Sequence, residues 1–106
     1  MIGKEQLNIM KKEAYLINVS RGPLVNEAAL VEALKSKKIA GAGLDVLVDE
    51  PPSRDNRLLK LDNVLITPHS AWYSDEAIAE LQLKAAETVA TVLAGGIPRT
   101  VLNREV

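Results

Sequence analysis

An apolar run that begins at Leu16 stops abruptly in the sequence Ser-Arg-Gly-Pro, and a helical pattern starts again behind Asn26. This pattern is typical of a buried strand that delivers Arg21 at its carboxyl end, where open α/β sheets bind their ligands. A guanidinium at that place can form paired hydrogen bonds to a planar anion, most simply a carboxylate. The alternative is that Arg21 only ties down its own loop through hydrogen bonds to backbone carbonyls. Composition does not decide between the two.

Charge and composition exclude several classes of protein. The 106 residues are enough for one small domain, and 13 Lys and Arg nearly balance 14 Asp and Glu. The basic residues are scattered, so we expect no nucleic-acid partner. The absence of cysteine excludes disulfides, and a single histidine argues against a dedicated metal site. Nothing resembles a signal peptide or a membrane-spanning run, so we expect a soluble, cytoplasmic protein without a membrane partner.

Apolar spacing predicts three strands and three helices. Continuous apolar runs indicate strands, the first of them covered on both faces, whereas helical spacing behind the capping residues Asn26 and Ser74 indicates helices. The predicted strands cover residues 14–19, 39–48 and 64–66, and the predicted helices cover residues 4–11, the stretch behind Asn26 and residues 74–95. Gly41 and Gly43 indicate close backbone contact rather than a bend. This order of elements predicts part of a doubly wound parallel α/β sheet.

Each predicted strand is followed by a residue suited to catalysis. Arg21 comes at the carboxyl end of the first strand, Asp45 and then Glu50 at that of the second, and His69 at that of the third. Because the carboxyl ends of parallel strands lie along one edge, we expect these side chains to face one crevice. A carboxylate beside an imidazole orients the ring and stabilises its protonated form, which suits proton transfer near neutral pH. With an arginine to hold a carboxylate, the set suits interconversion of a 2-hydroxy acid and a 2-keto acid, which also needs a hydride-carrying cofactor.

Each of these residues also has a plain structural explanation. His69 can be a loop residue satisfied by hydrogen bonds, Asp45 can cap a turn, and Asp49 with Glu50 can be a solvated pair of charges. For any single residue the plain explanation is the stronger one. The shared edge favours the catalytic interpretation, because coincidence would otherwise have to act four times.

These residues lie in three ordered motifs that resemble the carboxyl-terminal portion of the D-isomer-specific 2-hydroxyacid dehydrogenases. The motifs are Asn18-Val19-Ser20-Arg21-Gly22 with Leu24-Val25-Asn26-Glu27, Ala40-Gly41-Ala42-Gly43-Leu44-Asp45-Val46 leading to Glu50-Pro51, and Asn63-Val64 leading to Thr67-Pro68-His69. That family includes phosphoglycerate, glyoxylate/hydroxypyruvate and D-lactate dehydrogenases. The resemblance implies a Rossmann-type fold and an oxidoreductase acting on small 2-hydroxy and 2-keto acids.

The resemblance also implies a role for each catalytic residue. Arg21 would bind the substrate carboxylate and help to polarise the C2 oxygen, His69 would be the acid and base, and Glu50 would be the partner of His69. The formate dehydrogenases of this superfamily have glutamine where this chain has Glu50. With glutamate at this position, the chain resembles the members of the family that transfer a proton.

The implied cofactor is NAD, and these motifs do not distinguish it from NADP. Asp45 would hold the nicotinamide carboxamide, and two backbone segments would close over the same end of the cofactor. The implied cofactor-binding residues are Val19, Ser20, Arg21, Asp45, His69 and Ala71.

The segment from His69 to Ser74 is most similar to the branch that holds the C-terminal-binding-protein corepressors and their bacterial relatives. In that branch the same scaffold can act as a nicotinamide-dependent binding protein. The resemblance therefore leaves a nicotinamide-sensing binding protein as an alternative to an enzyme. Trp72 would line the substrate pocket, or alternatively pack against the start of the last helix.

The sequence lacks the glycine-rich G-x-G-x-x-G fingerprint of dinucleotide-binding domains, because Gly41 and Gly43 lie within a predicted strand. A separate substrate domain is also missing, so the chain resembles the last three strands of the cofactor domain and its terminal helix. We therefore expect no turnover from the isolated chain. We also expect a homodimer or higher assembly, because the first strand would have an unpaired edge and the last helix an exposed apolar seam. That seam is Ile78, Leu81, Ala85, Val89 and Val92.

Overall fold

A computed structural model describes residues 1–103. These residues form two compact units, Met1–Ala71 and the part of the chain from Trp72 onward, which are described in turn. None of the helices in the described residues combines the length and the apolar character needed to cross a membrane.

The first unit is a three-stranded parallel sheet with two helices. Helices α1 and α2 span Lys4–Ile9 and Glu27–Lys35, and strands β1, β2 and β3 span Tyr15–Asn18, Gly41–Leu44 and Val64–Ile66. The spatial order is β1-β2-β3, with both pairs parallel. The predicted α/β class and the three parallel strands are confirmed. In the register Asn18 pairs with Leu44 and Leu44 with Ile66, so the three strands end level at one edge.

Helix α2 begins and ends at identifiable signals. Asn26 Oδ1 accepts a hydrogen bond from Ala29 N at 2.9 Å, which confirms Asn26 as the cap. At the other end Lys37 has φ +53°, Lys37 N donates to Leu34 O and Lys38 N donates to Ala33 O. These two bonds satisfy carbonyls that the last helical turn leaves without partners.

The core lies between the two helices and one face of the sheet. Its largest fully buried side chains come from both helices and from the segments beside the strands, and they pack with inward-facing strand residues. They include Leu7, Leu30, Leu34, Ile39 and Leu58. Burial of one such side chain contributes about 1.5–3 kcal/mol to folding.

The prediction that β1 is covered on both faces is wrong for the described unit. Leu16 and Asn18 face the core, whereas Tyr15 and Ile17 remain 68% and 67% exposed, because residues 1–71 place helices against one face only. The predicted close backbone contact is confirmed at Gly41, where a Cβ would lie 2.8 Å from Asn63 O and 3.0 Å from the Tyr15 ring. At Gly43 the close neighbour is a side chain, since a Cβ there would lie 2.9 Å from Ile17 Cδ1.

Four of the predicted ranges were too wide, among them that of β1, which spans Tyr15–Asn18 rather than residues 14–19. The predicted strand over residues 39–48 is a strand only over Gly41–Leu44, because the neighbouring strands end level with Leu44 and offer no further ladder. The predicted first helix over residues 4–11 ends at Ile9.

The second unit contains the long terminal helix α3, which spans Asp75–Leu93 rather than the predicted residues 74–95. Ser74 is the residue before the helix, and its Oγ accepts a hydrogen bond from Ala77 N, which confirms it as the cap. The helix ends where Gly95 adopts φ +78° and Gly96 N donates to Thr91 O. No residue of α3 is buried in the described structure, and its predicted apolar seam is exposed except at Ile78, which is half-buried.

Candidate active site

The level ends of the strands bring three predicted site residues together. Asp45 directly follows β2, and Thr67, Pro68 and His69 directly follow β3. Asp45, Glu50 and His69 line a cavity of about 410 Å³ at this edge, with apolar walls from Leu47, Pro51, Pro52, Ile66 and Pro68. Arg21 lies in the loop after β1 at the same edge of the sheet.

Glu50 and His69 form the most direct contact of the site. Oε2 of Glu50 lies 2.7 Å from Nδ1 of His69, and Oε1 of Glu50 accepts a hydrogen bond from Leu47 N at 2.8 Å. The hydrogen bond with His69, followed by that from Leu47 N, lowers the pKa of the Glu50 carboxyl below its usual range. Glu50 is therefore ionised near neutral pH and can only accept, so Nδ1 of His69 carries the proton of this contact.

Asp45 holds the loop that carries His69. Its carboxylate is only 4% exposed and accepts hydrogen bonds from Thr67 Oγ1, Ser70 N and Ala71 N at 2.5, 2.9 and 2.9 Å. The bond from the Thr67 hydroxyl is the largest cause of the lowered pKa of Asp45, and together with the two amides it outweighs the opposing effect of desolvation. One buried carboxylate thus ties the end of β2 to the loop after β3.

The backbone of His69 has an uncommon conformation for a residue with a side chain. Its φ is +54°, in the left-handed region, and His69 N donates to Thr67 O at 3.0 Å. The Asp45 bonds to the next two amides hold the chain in this turn. The same bonds therefore contribute to fixing where the imidazole leaves the backbone.

The Arg21 loop is organised by Asn18. Asn18 Nδ2 donates to Arg21 O at 3.0 Å, and Ser20 N donates to Asn18 Oδ1 at 3.1 Å. Nη1 of Arg21 donates to Ser20 O at 2.8 Å, so the guanidinium does bind its own loop, as the alternative interpretation expects. This bond occupies one of its N–H donors, and the exposed side chain retains others for a ligand.

Sequence patterns did not identify the groups that support these side chains. Asn18 and Thr67 lie in the quoted motifs without an assigned role, and the Leu47 amide has no signature at all. A polar residue inside an apolar run was the available signal for Asn18.

A larger groove lies at the opposite edge of the sheet, near the amino ends of the strands. Its volume is about 950 Å³, and charged side chains, mostly lysines, line much of it. These are Lys12, Glu13, Lys35, Lys37, Lys60 and Asp62. It contains no imidazole, so the smaller cavity beside His69 is the better candidate for acid and base chemistry.

Comparison with protein families decides the ancestry of the chain. Residues 1–71 match the sequence model of the D-isomer specific 2-hydroxyacid dehydrogenase, NAD binding domain. The chain belongs to that family. The predicted resemblance and the NAD class of cofactor are confirmed.

Individual relatives agree with this assignment. The chain is 47% identical to glyoxylate reductase of Korarchaeum cryptofilum over 106 residues, which are 100% of this chain and 32% of that protein. It matches the structure of D-lactate dehydrogenase with NAD+ from Lactobacillus jensenii with a TM-score of 0.77 and 35% identity, over 98% of this chain and 35% of that one. It matches an acyclic imino acid reductase in complex with NADPH and D-Arg with a TM-score of 0.82 and 40% identity, over 93% of this chain and 31% of that one. The chain thus spans about a third of the length of these relatives.

The residues present fit the nicotinamide end of the family's cofactor. A carboxylate offers about four acceptor positions. Oδ1 of Asp45 accepts two hydrogen bonds and Oδ2 accepts one, so Oδ2 can take a further N–H such as that of a carboxamide. The amides of Ser20, Ser70 and Ala71 already donate within the chain, which leaves their carbonyls and van der Waals surfaces for a cofactor.

Two further predictions concern Trp72 and metals. Trp72 opens the second unit, where its ring meets that of Tyr73 edge-on at 5.4 Å, and its assignment to a substrate pocket stays a prediction. Among residues 1–103, no group of three or more histidine, aspartate or glutamate side chains could hold a metal ion.

Proposed function

We propose that this chain is the carboxyl-terminal part of the NAD-binding domain of a cytoplasmic oxidoreductase, which transfers a hydride between nicotinamide and a D-2-hydroxy or 2-keto acid. The contact between His69 Nδ1 and Glu50 Oε2, 2.7 Å long at the carboxyl edge of a parallel sheet, is the observation that carries this proposal. The bound nicotinamide supplies or accepts the hydride.

His69 is the proposed acid and base. Since Nδ1 is directed at Glu50, the proton exchanged with the substrate oxygen is the one on Nε2. The ionised Glu50 stabilises the imidazolium that forms when Nε2 accepts a proton from a 2-hydroxy acid. In the reverse direction the imidazolium donates that proton to the C2 oxygen of a 2-keto acid.

Arg21 is the proposed ligand of the substrate carboxylate. A guanidinium presents several N–H donors in a plane, which match the two oxygens of a carboxylate. The Asn18 side chain forms hydrogen bonds with the backbone of Ser20 and Arg21, and these two bonds fix the loop that carries the guanidinium. Asp45 is proposed to accept a hydrogen bond from the nicotinamide carboxamide at Oδ2.

The test is made in a complete enzyme. Residues 1–106 replace the matching third of the Korarchaeum cryptofilum glyoxylate reductase, and reduction of a panel of 2-keto acids is measured with NADH and NADPH. We expect turnover by the chimera, and no turnover by the 106-residue chain alone. In the chimera, His69→Gln should lower kcat/KM by about 10²–10⁴-fold, the usual contribution of a general acid or base.

Asp49→Asn is the matched control, because Asp49 is an exposed carboxylate beside Glu50. It should leave the rate near that of the parent chimera. Full activity of His69→Gln, or turnover by the isolated chain, would contradict the proposal. A folded chimera that binds NADH without turning over any 2-keto acid would favour the nicotinamide-sensing binding protein.

We propose further that the chain alone self-associates through the outer edge of β1. Beyond this edge no strand is present in residues 1–103, and Tyr15, Ile17 and Val19 are exposed beside it. A second copy related by a two-fold axis can pair the same edge antiparallel, which joins the unpaired backbone groups and covers these side chains at once.

A further inference from the structure

We propose that Gly22 and the Leu47 amide position the Glu50–His69 pair, Gly22 by packing against the Leu47–Val48 peptide, and that the Leu47 amide makes a carboxylate rather than a carboxamide necessary at position 50. The proposal concerns which ring nitrogen of His69 carries the proton. It rests on the proposed function only for the catalytic consequence, and the geometry can be tested without any turnover.

The two oxygens of Glu50 have different partners. Oε1 accepts from Leu47 N at 2.8 Å, and Oε2 faces His69 Nδ1 at 2.7 Å. Leu47 is buried, so its amide has a fixed direction and no ready exchange with water. Because both positions facing the side chain of residue 50 are N–H donors, both of its terminal atoms must be acceptors.

A glutamine at position 50 cannot meet this requirement. Its oxygen would remain opposite the Leu47 N–H, since the reverse orientation would place two donors against each other. Its NH₂ group would then donate to Nδ1 of His69, which would move the ring proton of the neutral imidazole to Nε2. That tautomer has no lone pair on Nε2 with which to accept the proton of a hydroxyl group.

Gly22 packs against the Leu47–Val48 peptide, which follows the peptide that carries the Leu47 N–H. A Cβ built on Gly22 would lie 2.0 Å from Leu47 O, 2.1 Å from Leu47 C and 2.6 Å from Val48 N. All three atoms belong to the backbone, so no rotation of a side chain can make room for a methyl group. The loop that carries Arg21 therefore packs against the carbonyl side of Leu47, the residue whose N–H binds Glu50, and it connects the proposed carboxylate ligand to the acid and base.

The experiment uses the 106-residue chain, whose single histidine gives an unambiguous signal. Long-range ¹H–¹⁵N correlation spectra of the neutral imidazole report which ring nitrogen carries the proton. We expect the proton on Nδ1 in the parent chain and on Nε2 in Glu50→Gln. Asp49→Asn, which neutralises the adjacent exposed carboxylate, should keep it on Nδ1. A Glu50→Gln chain with the proton still on Nδ1 would overturn the proposal.

Gly22→Ala tests the packing contact, with Gly3→Ala as the matched control. A Cβ at Gly3 meets only Gln6 Oε1, at 3.5 Å, which is an ordinary contact. We expect exchange of the Leu47 amide to accelerate about tenfold in Gly22→Ala, with a mixture of ring tautomers, and no change in Gly3→Ala. Parent-like exchange in a folded Gly22→Ala chain would overturn the role of Gly22. A Gly22→Ala chain that does not fold beside a folded Gly3→Ala chain would support the packing contact, and Glu50→Gln then decides the role of the Leu47 amide.

These spectra and the turnover of the chimera fail independently. An inverted tautomer in Glu50→Gln together with an inactive chimera would refute the proposed reaction and keep the positioning role. An active chimera together with an unchanged tautomer in Glu50→Gln would support the proposed reaction and refute the positioning role.

Discussion

Asp45 and Glu50 hold the two negative charges of the candidate site in different ways. Asp45 is buried and accepts three hydrogen bonds from the loop after β3, whereas Glu50 is half-exposed and shares its oxygens between an amide and an imidazole. Both carboxyls have a lowered pKa, with a neighbouring side-chain hydrogen bond as the largest cause in each case. Both therefore link the stability of the fold to pH.

The lowered pKa values predict how the stability of the fold changes in acid solution. The unfolded chain binds protons at the ordinary carboxyl pKa and the folded chain binds them at a lower pH, so stability falls as the pH falls. We expect the melting temperature to decline below about pH 5 and to decline less steeply in Asp45→Asn. Circular dichroism melts across the acid range measure this. Asp49→Asn is the control, and an Asp45→Asn chain with the parent's acid dependence would contradict the assignment.

Lys37 provides a second test at single-residue resolution. Its φ of +53° is strained for a residue with a Cβ, and a glycine adopts it freely. We expect Lys37→Gly to raise the free energy of unfolding by about 0.5–1 kcal/mol. The same change at Lys35, within α2, should lower it by about that amount. Urea unfolding measures both, and a shift of the same sign in the two variants would contradict the explanation.

At this scale the sequence revealed the side chains of the site but not the groups that hold them. Asp45 was singled out although the predicted strand over residues 39–48 continues past it, and Arg21 and His69 could be placed because residue type and strand ends are both visible in a sequence. The Leu47 amide could not, because almost every residue carries an identical N–H and only the folded chain shows which one meets Glu50. The close packing of Gly22 was hidden for the same reason.

Among the elements, helix starts were predicted better than strand lengths. A helix start depends on local capping chemistry, so Asn26 and Ser74 were found from sequence. A strand lasts only as long as its neighbours offer partners, so the apolar run over residues 39–48 could not show that β2 ends at Leu44. Buried residues beyond that point, such as Val46, look like strand in sequence and are not.

The capping hydrogen bond of Asn26 predicts how much the start of α2 contributes to stability. Removing the Asn26 side chain leaves the Ala29 amide without its acceptor, so Asn26→Ala should lower the free energy of unfolding by about 1 kcal/mol. Asn8→Ala is the control, because Asn8 is exposed within α1. Urea unfolding midpoints compare the two. Equal midpoints for Asn26→Ala and the parent chain would show that the cap contributes nothing.

For the molecule as a whole, the described residues leave much apolar surface uncovered. The outer face of the sheet and the seam of α3 are exposed within their own units, and the relatives are about three times as long as the matched part. Sequence periodicity identified these apolar positions but could not distinguish a covered face from an open one. That distinction depends on which other elements are present, which no local pattern contains.

The exposed outer edge of β1 predicts that the chain self-associates. We expect sedimentation velocity at micromolar concentration to show a dimer or larger species for the parent chain, and a monomer for Ile17→Lys, which places a charge on the exposed face of β1. Ile9→Lys is the control, because it makes the same substitution at a residue of α1 that is 86% exposed. We expect the Ile9→Lys chain to remain associated. A monomeric parent chain, or equal behaviour of the two variants, would argue against the proposed edge.

The two glycines of β2 have a consequence for which positions can vary. Between them they leave the middle strand bare on the open face, and Tyr15 and Ile17 lean across the gap from β1. Added bulk at Gly43 would thus be felt first at the solvent-exposed surface, by displacing Ile17, and not in the leucine-rich interior. Which side chains this strand tolerates depends on the space that the side chains of β1 already fill. A ranking of positions by solvent exposure alone would therefore predict the tolerated substitutions wrongly.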